Sequence, residues 1–250
     1  DEHPGRARGV VQLAGVRVGP RTPRPRPDAD LLLVCLPHAG GAASAFRGWA
    51  GAVPAGVELV TVQYPGREDR IREEPWTDAL AMAEALVALL AADARPLVLF
   101  GHSLGGTLAY EVARRLPRPP ERLVVSARIA PTVPPDPVFR GGTDSELAAE
   151  LCRLGGTDAA VLAHPELRAL VLPAFRADLR AADGYVHPPG PPLRCPVRLL
   201  LGADDPAVDQ ADALRWAEVA PVGFAHRVLP GGHFYLHEQR DEVLAEILRP

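Results

Sequence analysis

Short apolar runs alternate with longer amphipathic stretches along most of the chain, beginning at residue 31. This alternation is typical of a parallel sheet whose buried strands are joined by helices. It predicts strands at residues 31–36, 57–63, 97–100, 123–129, 197–201 and 225–229. It predicts helices at residues 77–92, 103–116, 208–219 and 239–248. Right-handed crossovers between such strands would give an α/β fold with a mostly parallel central sheet flanked by helices.

One interval, residues 131–192, interrupts the alternation because it contains no strand pattern. Two or three helices are expected there, at residues 143–153, 158–164 and 165–183, and prolines border both ends. This interval is too long for a simple connection in a compact sheet, so it predicts either a helical lid or a small helical subdomain without a gating role.

Outside this interval the sequence shows no sign of a second domain. Residues 1–28 are rich in Arg and Pro, and only residues 10–13 resemble a strand there. We find neither an internal repeat nor a second core pattern, so the sequence predicts a single domain over residues 1–250 that contains the insertion.

Composition removes several classes of chemistry. All 27 basic residues are Arg, and the sequence contains neither Lys nor Asn. Without Lys, a Schiff base, a pyridoxal phosphate anchor and a Walker-type phosphate site are excluded. Without Asn, a Cys-His-Asn triad is excluded as well. The formal net charge of −4 gives no electrostatic signature of nucleic-acid binding.

The cysteine and hydropathy patterns predict a cytoplasmic protein. Cys35, Cys152 and Cys195 are odd in number and lack metal-ligand spacing, which favours buried, reduced thiols and no bound metal. The beginning of the sequence has no secretory pattern. The longest apolar stretch, residues 86–92, is too short to span a bilayer, so a membrane is not expected as a partner.

The strongest chemical signal is a glycine-flanked serine between a predicted strand and a predicted helix. It reads Gly101-His102-Ser103-Leu104-Gly105-Gly106. A strand that leads directly into a helix makes a sharp turn, and small neighbours let a strained nucleophile position form there. The sequence predicts that Ser103 is a nucleophile at the carboxyl end of its strand.

A serine nucleophile needs a base, and His233 is the preferred candidate. It lies in a glycine-containing loop directly after the predicted strand 225–229, from which it can reach over the sheet edge. His226 lies inside that strand and His237 lies near the next helix, so both are less favoured. His102 is expected to point away from the nucleophile and to pack or hydrogen-bond beneath the turn.

The acid is expected in the loop after strand 197–201, where two aspartates are adjacent. Asp205 is preferred over Asp204 because Pro206 fixes the turn directly after it and its spacing from the strand is usual for this kind of site. Such a carboxylate would bind the far nitrogen of the imidazole and fix its tautomer.

Acyl transfer also requires N–H donors for the developing oxyanion. One is expected to be the backbone N–H of Leu104, directly after the nucleophile. The other is expected from Ala39 in the glycine-rich loop after strand 31–36. A simpler interpretation, a turn that caps the helix after Ser44, is compatible with this role.

The sequence contains an ordered set of motifs. They are Pro37-His38-Ala39-Gly40-Gly41, Tyr64-Pro65-Gly66-Arg67-Glu68-Asp69-Arg70, the Gly101–Gly106 motif, Gly202-Ala203-Asp204-Asp205-Pro206 and Gly231-Gly232-His233-Phe234-Tyr235-Leu236. Together they resemble type II thioesterases, the stand-alone α/β-hydrolases that accompany polyketide and nonribosomal peptide synthases. The resemblance extends over residues 31–248.

The resemblance implies an α/β-hydrolase fold with a helical lid insertion. It implies hydrolysis of acyl thioesters on the phosphopantetheine arm of acyl or peptidyl carrier proteins, which removes stalled or wrongly primed groups without a further cofactor. Carried over by position, it supports a triad of Ser103, Asp205 and His233, with Ala39 and Leu104 as oxyanion donors. A monomer is expected.

Three alternatives remain: an excised terminal domain that releases or cyclises a product, a non-catalytic binding protein of the same fold, and a generic carboxylesterase. The three candidate triad residues argue against the non-catalytic protein. Arg67 and Arg70 suggest either phosphate binding or loop salt bridges with nearby carboxylates, and we favour the salt bridges. Those carboxylates are Glu68, Asp69, Glu73 and Glu74.

Overall fold

A central sheet organises the molecule, whose computed structural model describes residues 11–13, 16–134, 142–156 and 159–249. Within these residues the sheet has eight strands. They are β1 (Val11–Leu13), β2 (Val16–Arg21), β3 (Leu31–Leu36), β4 (Val57–Gln63), β5 (Leu97–His102), β6 (Arg122–Ser126), β7 (Val197–Gly202) and β8 (Phe224–Leu229).

The strand order is β1-β2-β4-β3-β5-β6-β7-β8. The six strands from β4 to β8 in this order pair in parallel. β2 pairs antiparallel with β4, and β1 pairs antiparallel with β2. The predicted mostly parallel α/β sheet is therefore confirmed.

The sequence pattern missed one strand and placed the end of another too late. The missed strand is β2, whose Gly19 and Pro20 are weak strand formers. The predicted strand 123–129 ends earlier, at Ser126. Ala127 has a positive φ of 50°, which takes the backbone out of the extended region.

Seven α-helices occur in the described ranges, with 3₁₀ helices at Ala43–Trp49, Glu68–Arg70 and Arg215–Val219. The α-helices are α1 (Ala79–Leu90), α2 (Leu104–Arg115), α3 (Asp144–Leu154), α4 (Ala159–Ala163), α5 (Pro165–Gly184), α6 (Gln210–Leu214) and α7 (Arg240–Leu248). The predicted helix 208–219 divides into α6 and a 3₁₀ turn. The predicted helix 77–92 starts later, because the Asp78 side chain caps α1 by accepting the Leu80 and Ala81 N–H groups.

Helices cover both faces of the sheet, and a hydrophobic layer lies under each. α1, α2 and α6 pack on one face, and the 3₁₀ helix Ala43–Trp49 with α7 packs on the other. β3 shows the alternation: Val34 and Leu36 face the first layer, whereas Leu33 and Cys35 face the second. Burial on both faces explains why β3 and β5 are almost continuously apolar in sequence, whereas the edge strand β8 is largely exposed.

The insertion is helical in its described part, as predicted, and α3, α4 and α5 pack around a small core of their own. This core contains Leu147, Leu151, Leu162, Leu172 and Phe175. Residues 135–141 and 157–158 of the insertion lie outside the described residues, as do residues 1–10. One thiol expectation is wrong: Cys35 and Cys195 are buried, but Cys152 is exposed on α3.

Candidate active site

Ser103 occupies a strained turn between β5 and α2. It is one of the non-glycine residues with positive φ, at φ 54° and ψ −119°. The turn is held by backbone bonds, because the Ser103 N–H donates to the Ser126 carbonyl at 2.8 Å and the Gly106 N–H donates to the Ser103 carbonyl at 2.8 Å. The side chain is thus presented at the carboxyl end of the strand, as the sequence predicted.

The two glycines that flank this serine are required by close backbone contacts. A Cβ atom at Gly101 would lie 2.1 Å from the Gly105 carbonyl oxygen. A Cβ atom at Gly105 would lie 2.1 Å from the Leu36 carbonyl oxygen at the end of β3. The start of α2 therefore lies directly against the loop that follows β3, which brings the Leu104 N–H close to the predicted oxyanion loop.

His233 and Asp205 form a buried pair. The His233 Nδ1 atom lies 2.8 Å from Asp205 Oδ2 and 3.0 Å from Oδ1, and the side chains are 4% and 2% exposed. Asp205 Oδ1 also accepts the Ala207 N–H at 2.9 Å, which orients the carboxylate. Asp204 is exposed, and its N–H donates to the Gly231 carbonyl at 2.9 Å, which ties the two loops together. The structure therefore brings His233 together with Asp205 and not with Asp204.

His102 lies beneath the turn and connects it to the His233 loop. Its Nδ1 atom is 2.9 Å from Ser126 Oγ, which is 2.6 Å from the hydroxyl of Tyr235. Its Nε2 atom is buried and has no hydrogen-bond partner in the described part of the chain. Its ring centroid lies 5.2 Å from that of His233. The expected hydrogen-bonding position of His102 beneath the turn is thus observed.

Two imidazoles next to His233 are kept neutral by their surroundings. Burial lowers the pKa of His102 well below the usual histidine value, and His233 acts in the same direction. Burial, followed by His233, also lowers the pKa of His38 to about 3. Both rings are neutral at neutral pH and add no positive charge beside His233.

The predicted oxyanion loop is a tight turn over His38–Gly41. The Gly41 N–H donates to the His38 carbonyl at 2.9 Å, and Gly40 has a φ of 75°, as the third residue of a type II turn requires. No acceptor for the Ala39 N–H is found among the described residues. The Leu104 N–H is the first of α2 and so has no acceptor within the helix. Both predicted donors are available.

The alternative interpretation of this loop as a helix cap gains little support. The 3₁₀ helix that follows it has Ala42 at its N-cap, without a side-chain cap. The first N–H of that helix, from Ala43, instead donates to Gln63 Oε1 at 2.8 Å. The end of β4 therefore satisfies the helix, and the glycine-rich turn is left for another role.

Arg67 does not make the surface salt bridge that we favoured from the sequence. Its guanidinium binds Asp178 of α5, with Nη1–Oδ2 at 2.5 Å and Nη2–Oδ1 at 2.9 Å. Nη1 also donates to the Gly41 carbonyl, and Nε donates to the Pro65 carbonyl. With its donors used in this way, Arg67 does not support phosphate binding either. Sequence neighbours misled the prediction because the partner lies 111 residues away.

Asp178 is the residue near this site that the sequence analysis missed. A signal existed: Asp178 lies one turn from Ala174, Phe175 and Ala181, all buried, so it places a carboxylate on the apolar face of α5. Charged residues at such positions are rarely left without a partner.

Arg70 agrees with the salt-bridge interpretation but is also buried. Its Nε and Nη2 atoms bind the Glu73 carboxylate at 2.8 and 2.5 Å. Its Nη1 atom donates to the Gln63 carbonyl at 2.7 Å. Arg70 therefore fixes the segment after β4 and does not contact the oxyanion loop directly.

An open cavity of about 550 Å³ adjoins the turn that holds Ala39. One wall is the oxyanion loop, and the other is formed by the insertion, through Leu151, Val171 and Ala174. His237 also lines the cavity, whereas His226 is exposed on β8. The wall formed by the insertion is aliphatic and suits an apolar chain, whereas His38, Arg67 and Glu68 add polar groups on the opposite side.

The described residues contain neither a metal-binding cluster nor a membrane-spanning helix. They contain no group of three or more His, Cys, Asp or Glu side chains that could hold a metal ion. In the same ranges no helix is both long enough and apolar enough to cross a membrane.

Ser103, Asp205 and His233 each follow a parallel strand, and they occur along the chain in the order serine, acid, histidine. That order and this sheet are those of the α/β-hydrolases. The protein is accordingly a serine hydrolase of the α/β-hydrolase fold. A family model described as the thioesterase domain matches residues 32–249, so the chain belongs to this family and is a thioester hydrolase.

Individual relatives agree with the family assignment. The chain is 42% identical over 233 residues to the thioesterase PikA5 of Streptomyces venezuelae, which covers 89% of this chain and 82% of the relative. Its fold matches the structure of BorB, a type II thioesterase from the borrelidin biosynthetic cluster, with a TM-score of 0.81 and 44% identity. That match covers 92% of this chain and 97% of BorB. The resemblance inferred from the motifs is thereby confirmed.

A different kind of relative is much longer than this chain. The AMB antimetabolite synthetase AmbE of Pseudomonas aeruginosa is 41% identical over 226 residues, which are 88% of this chain but 10% of the synthetase. The same domain therefore also occurs within a large synthetase.

Proposed function

We propose that the protein is a stand-alone type II thioesterase of polyketide or nonribosomal peptide biosynthesis. It would hydrolyse acyl thioesters on phosphopantetheinyl carrier proteins and so remove aberrant or stalled acyl groups. The observation that carries the proposal is the match to BorB, because it covers nearly the whole of a type II thioesterase at 44% identity. The likeness to PikA5 over most of both chains supports it.

The first chemical step would acylate Ser103. His233 takes the hydroxyl proton through Nε2 while the Ser103 oxygen attacks the thioester carbonyl. Asp205, bound to Nδ1, keeps the imidazole in the required tautomer and stabilises the imidazolium. The carbon–sulfur bond then breaks, and the pantetheine thiolate leaves with the proton from His233.

The second step would hydrolyse the acyl-enzyme. His233 removes a proton from water, the hydroxide attacks the ester carbonyl, and Ser103 leaves with that proton as the free acid is released. In both steps the N–H groups of Ala39 and Leu104 stabilise the developing oxyanion. The reaction uses no cofactor of the enzyme's own, since the phosphopantetheine arm belongs to the carrier protein.

The cavity beside Ala39 is the proposed place for the acyl chain. Its aliphatic wall comes from α3 and α5, so the insertion over residues 131–192 would act as a lid that limits the length of the chain. Exchange of side chains in this wall, such as Val171→Trp, is then expected to shift preference toward shorter acyl groups.

We propose further that the enzyme acts as a monomer in the cytoplasm and recognises acidic carrier proteins through Arg side chains. The absence of Lys from the sequence supports the last point, because Arg is the only permanently charged cation available. The free thiols Cys35, Cys152 and Cys195 agree with a reducing compartment.

The test is a panel of acyl groups offered both on carrier proteins and on coenzyme A. We expect faster hydrolysis of carrier-bound groups, none in Ser103→Ala, and labelling of the wild type but not of Ser103→Ala by a fluorophosphonate probe. A wild-type protein that is labelled but cleaves only simple oxygen esters would contradict the proposal. A protein that is neither labelled nor active would indicate a non-catalytic member of the fold.

One alternative is favoured by a specific observation, the match to 10% of AmbE. It suggests a terminal thioesterase domain that releases or cyclises a finished product. Presentation of a full-length product thioester beside short acyl thioesters separates the two functions. Preference for the full-length substrate, with formation of a ring or a free product, would favour the terminal domain.

A further inference from the structure

A buried ion pair joins the segment after β4 to the insertion. Arg67 and Asp178 share two hydrogen bonds, at 2.5 and 2.9 Å, and their side chains are 6% and 0% exposed. Paired bonds between a guanidinium and a carboxylate are strong and directional. The pair therefore fixes the position of α5 relative to this segment.

The same two side chains also hold the backbone of the oxyanion loop. Asp178 Oδ2 accepts the Gly40 N–H at 2.7 Å, and Arg67 Nη1 donates to the Gly41 carbonyl at 3.0 Å. Phe175, one turn before Asp178 on α5, lies close to Gly40, since a Cβ atom there would be 3.1 Å from its ring. The Ala39–Gly40 and Gly41–Ala42 peptide groups are thus oriented by side chains from outside the loop.

We propose that Arg67 and Asp178 are positioning residues for the oxyanion hole. They hold the His38–Gly41 turn so that the Ala39 N–H points to the same place as the Leu104 N–H. Asp178 does not line the cavity proposed for the acyl chain, and Arg67 borders it beside the turn; in this assignment both side chains act through the turn. This inference rests on the proposed function, because it takes Ala39 to be an oxyanion donor.

The energetics favour a positioning role over a purely structural one. Because of the cost of removing charges from water, a buried ion pair adds little net stability compared with apolar side chains of similar volume. Its hydrogen bonds are directional, however, and catalysis depends on donor placement within a fraction of an ångström. Since this pair makes hydrogen bonds to Gly40 and Gly41, replacing the whole pair with apolar side chains is expected to change kcat more than the free energy of unfolding.

The experiment uses a graded series at position 178 in the full chain. Asp178→Asn keeps an oxygen that can accept the Gly40 N–H but loses the charge that binds Arg67. Asp178→Leu, combined with Arg67→Met, replaces the pair with apolar side chains and removes both bonds to the loop. The control is Glu73→Gln, which weakens the pair between buried Arg70 and the partly exposed Glu73 in the same segment without touching the turn.

The measured quantities are kcat and KM for a short acyl thioester, the melting temperature and fluorophosphonate labelling of Ser103. We expect kcat to fall about 10-fold in Asp178→Asn and about 10²-fold in the double variant, since loss of one oxyanion donor costs roughly 10²–10³ in rate. KM is expected to stay within about 2-fold in Asp178→Asn, because Asp178 does not line the cavity proposed for the acyl chain. Glu73→Gln should keep the wild-type kcat.

Wild-type kcat in a folded double variant would overturn the inference, and so would a fall in melting temperature without any fall in kcat. Should the double variant fail to fold, Asp178→Asn decides alone: unchanged kcat refutes the positioning role. Failure of the proposed function is distinct, because in that case the wild type itself would not cleave carrier-bound thioesters.

Discussion

Gly105→Ala is the substitution for which the structure gives the clearest expected magnitude. A methyl group there would lie 2.1 Å from the Leu36 carbonyl oxygen and 2.7 Å from that of Pro37. Real Cβ contacts essentially never fall below 3.0 Å, so the start of α2 and the end of β3 must separate by roughly 0.9 Å. The proposed oxyanion donors, Leu104 and Ala39, lie on opposite sides of this contact. The methyl group is therefore expected to move them apart.

A misplacement of about 1 Å costs on the order of 10²-fold in rate, or about 2.7 kcal/mol in activation free energy. We therefore expect kcat/KM for Gly105→Ala to fall about 10²-fold. Overpacking is also expected to reduce the free energy of unfolding by about 1–3 kcal/mol. Steady-state hydrolysis of an acyl thioester and urea denaturation measure the two effects.

The matched control is Gly48→Ala, an exposed glycine in the 3₁₀ helix Ala43–Trp49 with no atom within 4 Å of the added methyl group. It should change stability by no more than about 0.5 kcal/mol and leave activity intact. Wild-type kcat/KM and stability in Gly105→Ala would refute the steric argument. Equal losses in both variants would show that the contact with β3 is not the cause.

Three further predictions concern the acid, a buried imidazole and a buried carboxylate. Asp205→Asn should lower kcat/KM by about 10³–10⁴-fold because the imidazole is no longer held in the required tautomer, whereas Asp204→Asn should not. Comparable losses in both variants would show that Asp205 is not the acid of the triad. Burial lowers the pKa of His102, so the unfolded chain binds a proton that the folded chain excludes. The free energy of unfolding should therefore fall by up to about 1.4 kcal/mol per pH unit as the pH drops below the ordinary histidine pKa of about 6.5. His102→Gln should reduce this pH dependence in urea melts, and an unchanged dependence would contradict the role given to His102. Glu111 is fully buried and binds Arg114 at 3.2 Å, so Glu111→Ala should lower the free energy of unfolding by about 3–5 kcal/mol. A loss below about 1 kcal/mol would mean that Glu111 and Arg114 do not form a buried ion pair.

The parts of the fold that the sequence predicted are those governed by local pattern. The inner parallel strands are buried on both faces, so β3 to β7 appear as mostly apolar runs, whereas the edge strand β8 is largely exposed. Each candidate triad residue lies in the loop or turn that follows a parallel strand. The serine turn was recognisable because Gly101 and Gly105 flank Ser103 at a strand–helix junction. The choice of Asp205 over Asp204 depended on the turn at Pro206, and the bond to His233 agrees with it.

The parts that the sequence could not supply depend on contacts between distant residues. β2 is stabilised by pairing with β4, although its own residues favour strands weakly. Arg67 was matched to neighbouring carboxylates because local charge is all that a single sequence displays, yet its partner lies on α5. Cys152 was expected to be buried with the other thiols, but it faces outward from α3.

The position of Phe175 and Asp178 on α5 affects how variants with new acyl preferences could be constructed. α3 and α5 contribute to the cavity wall, α4 contributes Leu162 to the small core of the insertion, and α5 also contacts the backbone of Gly40. A chimaera that replaced all of residues 131–192 would exchange Phe175 and Asp178, which contact the oxyanion loop, together with the cavity wall. A graft that ends before Pro165 would leave Phe175 and Asp178 in place, so recombination boundaries belong at the junction between α4 and α5.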